Sequence, residues 1–177
     1  MLLEFASLAV KSATHFEIVP VVAPGPDVDA VRDLFLEYGE SLGFNTCFGG
    51  FEQELTTLPG EYAPPRGTLL LATEGGARAG CVAARPLGGG ACEMKRLYVR
   101  PQFRRLGLGR RLAEAAIATI RAAGGRRVNL DTLPAMVEAR ALYSTLGFRP
   151  CAPYYDNACL GTDCYALDLQ SPVTDQR

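Results

Sequence analysis

The chain has 177 residues and a mass of 19.0 kDa, which fits one domain with a core large enough to need no disulfide or metal staple. Apolar residues make up 48% and charged residues 21%, a globular balance. A formal charge of -1 and a pI near 5.9 argue against a dedicated nucleic-acid binder, and no apolar run approaches the length of a membrane-spanning helix.

Residues 1–14 read as an extension before a single domain covering 15–177. They carry Glu4 and lack a basic leader, so they make a poor signal peptide. Phe16 to Val22 reads as a strand, with Pro20 marking an edge or an irregular end. Pro26 to Leu42 reads as a helix, with Val28, Val31, Phe35, Tyr38 and Leu42 on one stripe and Gly43 as the stop. Phe51 to Leu58 is a shorter helix closed by Pro59-Gly60. Thr68 to Thr73 and Ala79 to Arg85 flank Glu74-Gly75-Gly76-Ala77 as a hairpin, and Cys92 to Val99 follows the Gly88-Gly89-Gly90 loop as another strand. Leu108 to Ala123 is a strongly amphipathic helix with Leu112, Ala116, Ile120 and Ala123 inward, closed by Gly124-Gly125. Arg127 to Leu130 is a strand. Pro134 to Leu146 is a helix, begun by Thr132 and Pro134 and stopped by Gly147. Phe148 to Cys151 and Cys164 to Leu169 supply two last strands around a loop rich in Pro, Tyr, Asn and Gly. The order β-α-α-β-β-β-α-β-α-β-β predicts an α/β fold that combines an antiparallel meander with parallel crossovers.

The six cysteines (Cys47, Cys81, Cys92, Cys151, Cys159, Cys164) form no C-x-x-C pair, and the sole histidine, His15, is remote from the close pair Cys159 and Cys164. No metal site is expected, and free thiols point to a reducing cytoplasm.

Arg104-Arg105-Leu106-Gly107-Leu108-Gly109-Arg110-Arg111 lies between a strand and a long helix. Glycines at a helix mouth let the main chain approach a ligand, and the free N–H groups of the first turn form an anion site. Seven basic residues and no acidic one lie between Lys95 and Arg111, which supports a polyanionic ligand; the bland alternative is a solvated basic helix start. A dinucleotide fingerprint fails because Leu112 stands where the third glycine is needed, and a P-loop fails because no Gly-Lys occurs.

The stretch Glu93 to Leu112, EMKRLYVRPQFRRLGLGRRL, resembles the acyl-CoA signature of the GNAT N-acetyltransferase superfamily, an R/Q-x-x-G-x-G/A loop matched by Arg104 to Gly109. Ala139 to Phe148 matches a second landmark, A-x-x-L-Y-x-x-x-G-F. Together with L-P-G-x-Y-x-P-P-x-G (58–67) and P-Y-Y-x-N (153–157), the pattern is similar to bacterial members of unassigned substrate. The resemblance spans roughly 16–170 and implies a mixed, mostly antiparallel central sheet of six to seven strands with helices on both faces, the acyl-CoA N-acyltransferase fold. It implies acetyl-CoA as co-substrate, with Leu97, Tyr98 and Val99 against the pantetheine and Arg104, Arg105, Leu106, Gly107, Leu108, Gly109 and Arg110 at the phosphates. Arg105 stands where many members have glycine, and it resists a loop that needs positive φ. Glu93 to Val99 also breaks simple alternation, as a bulge would.

By the same resemblance, Tyr143 is the donor to the departing sulfur. The alternative is a packed helix tyrosine, since Met136, Ala139, Leu142, Tyr143 and Leu146 form one apolar surface. Glu93, eleven residues before Arg104, stands at the spacing of a catalytic glutamate, or else is a strand residue paired with Lys95 or Arg96. Met136 replaces an asparagine common in the family, so a cofactor contact there is missing or comes from Asn129 or Asp131.

Eight acids and one base lie between Asp27 and Glu61, which points to a cationic amine as acceptor, small molecule or peptide, or else to an ordinary solvated helix face. Tyr154, Tyr155 and Asn157 are candidates for the pocket wall. The expected activity is direct acetyl transfer through a ternary complex, with no membrane or nucleic-acid partner. A non-catalytic acyl-CoA sensor is the rival reading. The oligomeric state is open, a homodimer included.

Overall fold

A computed structural model describes residues 15–43, 50–155 and 161–169. The extension 1–14, Cys47, Asn157 and Cys159 lie outside these residues. The elements follow in the expected order: β1 (Phe16–Pro20), α1 (Pro26–Ser41), α2 (Phe51–Thr57), β2 (Thr68–Glu74), β3 (Ala77–Gly88), β4 (Ala91–Val99), α3 (Leu108–Ala122), β5 (Arg127–Thr132), α4 (Val137–Thr145), β6 (Arg149–Pro150) and β7 (Asp163–Asp168). The strands form one sheet in the order β1-β2-β3-β4-β5-β7-β6. Every neighbouring pair is antiparallel except β4 with β5, which the α3 crossover joins in parallel.

Helices cover both faces, as the chain pattern predicts. Leu108, Leu112, Ala113, Ala116, Ile117 and Ile120 form the buried stripe of α3, which packs with Leu70, Val82, Ala84, Met94, Val128 and Leu130 of the sheet. The opposite face carries a second core, where Val28, Val31, Leu34 and Phe35 of α1 and Phe51 of α2 meet Leu69, Leu71, Cys81 and Ala83. Fully burying one such side chain contributes about 1.5–3 kcal/mol, so the two cores fix both helix layers on the sheet.

Two irregularities of β4 position the site. Cys81 pairs with Tyr98 and Ala83 with Lys95, so β3 advances two residues while β4 advances three. The extra residue is accommodated at Arg96, whose φ is 56°. This bulge reverses the facing of the strand: Met94 belongs to the α3 core before it, and Tyr98 to the α1 core after it. Gly80 permits the approach, since a Cβ there would lie 2.5 Å from the Tyr98 carbonyl oxygen.

The second irregularity is a parting of strands. β4 and β5 pair only through Ala91 with Arg127, Cys92 with Val128 and Glu93 with Asn129. Beyond Glu93 the two diverge, while β5 continues against β7 as far as Thr132.

Several boundaries differ from the sequence pattern; β1 stops at Pro20 and β5 runs on to Thr132. Helix α4 begins at Val137 instead of Pro134, because the Met136 N–H donates to the Leu133 carbonyl (2.9 Å) in a tight turn that leaves Met136 at ψ 62°. The β2–β3 hairpin turn narrows to Gly75-Gly76, both at positive φ, so Glu74 and Ala77 pair within the ladder. β3 runs on to Gly88, through a second irregularity at Pro86 to Gly88. Among the described residues no helix is long and apolar enough to cross a membrane, and Cys81, Cys92, Cys151 and Cys164 are free thiols.

Candidate active site

The parted strands open a groove of about 680 Å³ between the second half of β4, the loop into α3, and the start of α4. Leu97, Tyr98 and Val99 form one wall. Arg104, Arg105, Gly107, Leu108, Gly109 and Arg110 form the end, and Met136, Ala139 and Leu142 the far side. Gly107 caps α3 at φ 79°, in the left-handed region, and a Cβ there would meet nothing within 4 Å. The first helical hydrogen bond runs from Arg111 N–H to the Gly107 carbonyl (3.2 Å), so the N–H groups of Leu108, Gly109 and Arg110 precede it and have no helical acceptor.

Three arginines surround these amides. Arg104 Nε donates to the Val99 carbonyl (2.9 Å) and the guanidinium lies 5.9 Å from the Tyr98 ring centre. Arg110 is tied to Glu114 and Thr145. Arg105 is 90% exposed and makes only a 4.0 Å contact with Glu138. Its φ is 62°, the conformation that a non-glycine residue resists; the loop adopts it nonetheless. An unpaired strand edge, free helix amides and arginines fit an extended ligand that ends in phosphates.

Two residues expected at the cofactor do not line the groove. Leu106 is 48% exposed and points outward from the loop. Asn129 is buried on the α1/α2 face, below the point where the strands part, and its Oδ1 accepts from Arg127 Nε (3.1 Å).

The groove shares Leu97 and Met136 with a small cavity of about 50 Å³, lined also by Tyr38, Lys95, Arg96, Asp131 and Tyr143 among others. Tyr143 is packed in the core and also lines this cavity. Its ring packs 5.7 Å from that of Phe148 in the α3 core, and its phenol faces this cavity with no hydrogen-bond partner among the described residues. Burial, and then the nearby Tyr38 and Asp131, push that phenol well above its ordinary range, so it holds its proton at neutral pH.

Glu93 does not line this cavity. It is 2% exposed, with Oε2 accepting from Arg85 Nε (2.7 Å) and 3.6 Å from Lys95 Nζ, and Oε1 accepting from the Tyr154 hydroxyl (3.0 Å). Asp131, two residues beyond Asn129 on the same face of β5, does line it. The sequence pattern offered Asp131 only as a substitute cofactor contact; the parting of β4 and β5, which brings it to the cavity, is a feature of tertiary structure.

Five of the eight acids between Asp27 and Glu61 bind arginine: Asp29 to Arg32, Asp33 to Arg78, Glu37 to Arg100, Glu54 to Arg96 and Glu61 to Arg85. Four of those arginines lie on β3 (Arg78, Arg85), on β4 (Arg96) or just after it (Arg100), so their acids tie α1, α2 and the segment after α2 to the sheet. Tyr154 and Tyr155 stack edge to face (4.9 Å), and Tyr155 donates to Asp131 Oδ2 (2.8 Å).

Residues 29–148 match the model of the acetyltransferase (GNAT) family. The chain belongs to that family. It is 41% identical over 133 residues to an uncharacterized N-acetyltransferase of Schizosaccharomyces pombe, covering 74% of this chain and 82% of that one. It is 32% identical over 160 residues to an IAA acetyltransferase of Azospirillum brasilense, covering 88% and 98%. The fold matches a crystal structure of an acetyltransferase from Streptococcus agalactiae with a TM-score of 0.74 at 19% identity, over 87% of this chain and 98% of that one.

Proposed function

We propose that this protein moves an acetyl group from acetyl-CoA directly to a primary amine while both are bound. The observation that carries the reading is the parting of β4 from β5 beside the free amides of α3, with Tyr143 in the small cavity that shares Leu97 and Met136 with the groove. In this reading main-chain groups of Leu97 to Val99 hold the pantetheine arm. The amides of Leu108 to Arg110, with Arg104 and Arg110, hold the diphosphate. Acetyl-CoA supplies the activated thioester. Tyr143 keeps its proton through neutral pH and delivers it to the departing sulfur. Glu93 anchors Lys95 and Tyr154 at the acceptor wall.

The test is a panel of primary amines incubated with acetyl-CoA and followed by release of free thiol. Amine-dependent release, with acetyl-CoA raising the melting temperature, is expected. Stabilisation by acetyl-CoA without release for any amine would make the protein an acyl-CoA-binding module instead.

A further inference from the structure

Resting on that reading, we propose that Asp131, not Glu93, is the group that receives the acceptor ammonium and takes its proton. The two carboxylates share one face of the sheet, but their surroundings differ. Glu93 has both oxygens occupied and two cations against it, Arg85 and Lys95. Asp131 has no cation in ion-pair contact among the described residues; its one partner is the Tyr155 hydroxyl on Oδ2, which leaves Oδ1 open. Asp131 also lines the cavity that holds the Tyr143 phenol, so acid and base lie in one chamber.

The groups around Asp131 come from every neighbouring element: Tyr38 from α1, Lys95 and Arg96 from β4, Tyr143 from α4, Tyr154 and Tyr155 from the loop before β7, and Cys164 from β7. Of the two cations, Lys95 lies against Glu93, and Arg96 is held by Glu54 through two bonds. Burial in the first place, and then the Asp131 charge among others, keeps Tyr38 and Tyr143 protonated. With Lys95 against Glu93 and Arg96 held by Glu54, no cation among the described residues makes an ion pair with the Asp131 carboxylate, and a primary ammonium supplies that contact.

The transfer balances as follows. The ammonium gives one proton to Asp131, which returns it to solvent. The neutral amine attacks the acetyl carbonyl carbon, the C–N bond forms and the C–S bond breaks. The departing sulfur takes the Tyr143 proton, and the second proton of the nitrogen restores the phenol. An ammonium and a thioester thus become an amide, a thiol and one free proton.

Asp131→Asn tests this, because the amide keeps an oxygen for Tyr155 and removes the charge. With the best amine of the panel, kcat falls by about 100-fold and the acid-side inflection of its pH profile disappears, while the KM for acetyl-CoA stays within about twofold. Asp131→Glu restores part of the rate, and Glu93→Gln keeps the acid-side inflection whatever its effect on rate. A readout free of turnover is a titration with butylammonium chloride, followed by the NMR signals of residues 130–132. These signals shift saturably in wild type and do not in Asp131→Asn. An Asp131→Asn enzyme with wild-type kcat and pH profile, or a titration with an equal response or none in wild type, overturns the assignment and leaves the transferase reading standing. A wild type that neither binds acetyl-CoA nor acetylates any amine removes both.

Discussion

The Glu54 carboxylate holds the Arg96 guanidinium through two bonds, Nε to Oε1 at 3.0 Å and Nη2 to Oε2 at 2.7 Å, and so ties α2 to the bulged residue of β4. The same guanidinium lies 4.9 Å from the Phe51 ring centre. The side chains are 9% and 16% exposed, so the pair is largely shielded from water, and the backbone it anchors sits at positive φ. Removing one member leaves a buried charge, and Glu54→Ala is expected to cost about 3–5 kcal/mol in urea denaturation.

Arg96 separates the two contributions. Arg96→Gly and Arg96→Ala lose the same ion pair, but only glycine adopts φ 56° without strain. The glycine variant should be the more stable of the two by about 1 kcal/mol and keep more activity. The reverse ranking would show that the bulge costs the backbone nothing.

Acid should weaken this lock. Burial pushes the Glu54 carboxyl up, but the Arg96 guanidinium outweighs it and holds the carboxyl below its ordinary value. A depressed folded-state pKa stabilises above the unfolded value of about 4.3 and loses that stability as pH falls through the folded one. The melting-temperature gap between wild type and Glu54→Gln is therefore full at neutral pH and closes below pH ~4. A gap independent of pH would sink the electrostatic account.

Tyr143→Phe should lower kcat by about 100-fold in thiol release and leave the dissociation constant for CoA nearly unchanged, since the ring packs on Phe148 and only the phenol is lost. Equal losses of rate and affinity would make Tyr143 a packing residue alone.

At the α3 mouth, Gly107→Ala creates no clash but forces an alanine to φ 79°. It should cost about 1 kcal/mol of stability and weaken CoA binding through the displaced amides. Leu106→Ser, outside the groove, should leave CoA affinity as it is, which calorimetry on both variants checks.

Much of this was legible in the chain. The stripe of α3, the glycine stop signals and the strand runs gave the order of elements, because period and turn chemistry are local. The broken alternation from Glu93 to Val99 reported a real bulge. Less legible was what depends on distant pairing. No local signal says that β4 and β5 stay together for three residue pairs and then part, and that event leaves Asp131 at the cavity while Asn129, on the same face, sits where the strands are still paired. The acids of α1 and α2 looked like a surface field, and their arginine partners on other elements became visible only in three dimensions. Arg105 defied its own preference because the loop geometry outweighs one strained residue.

The three rungs that join Ala91–Glu93 to Arg127–Asn129 have a mechanical consequence. They are the fulcrum of a pair of blades: one carries β1 to β4, the other β5, β7 and β6. The buried stripe of α3 bridges the same seam, packing on Val82 and Met94 of one blade and on Val128 and Leu130 of the other, so a single helix splints the wedge from one face and sets its width.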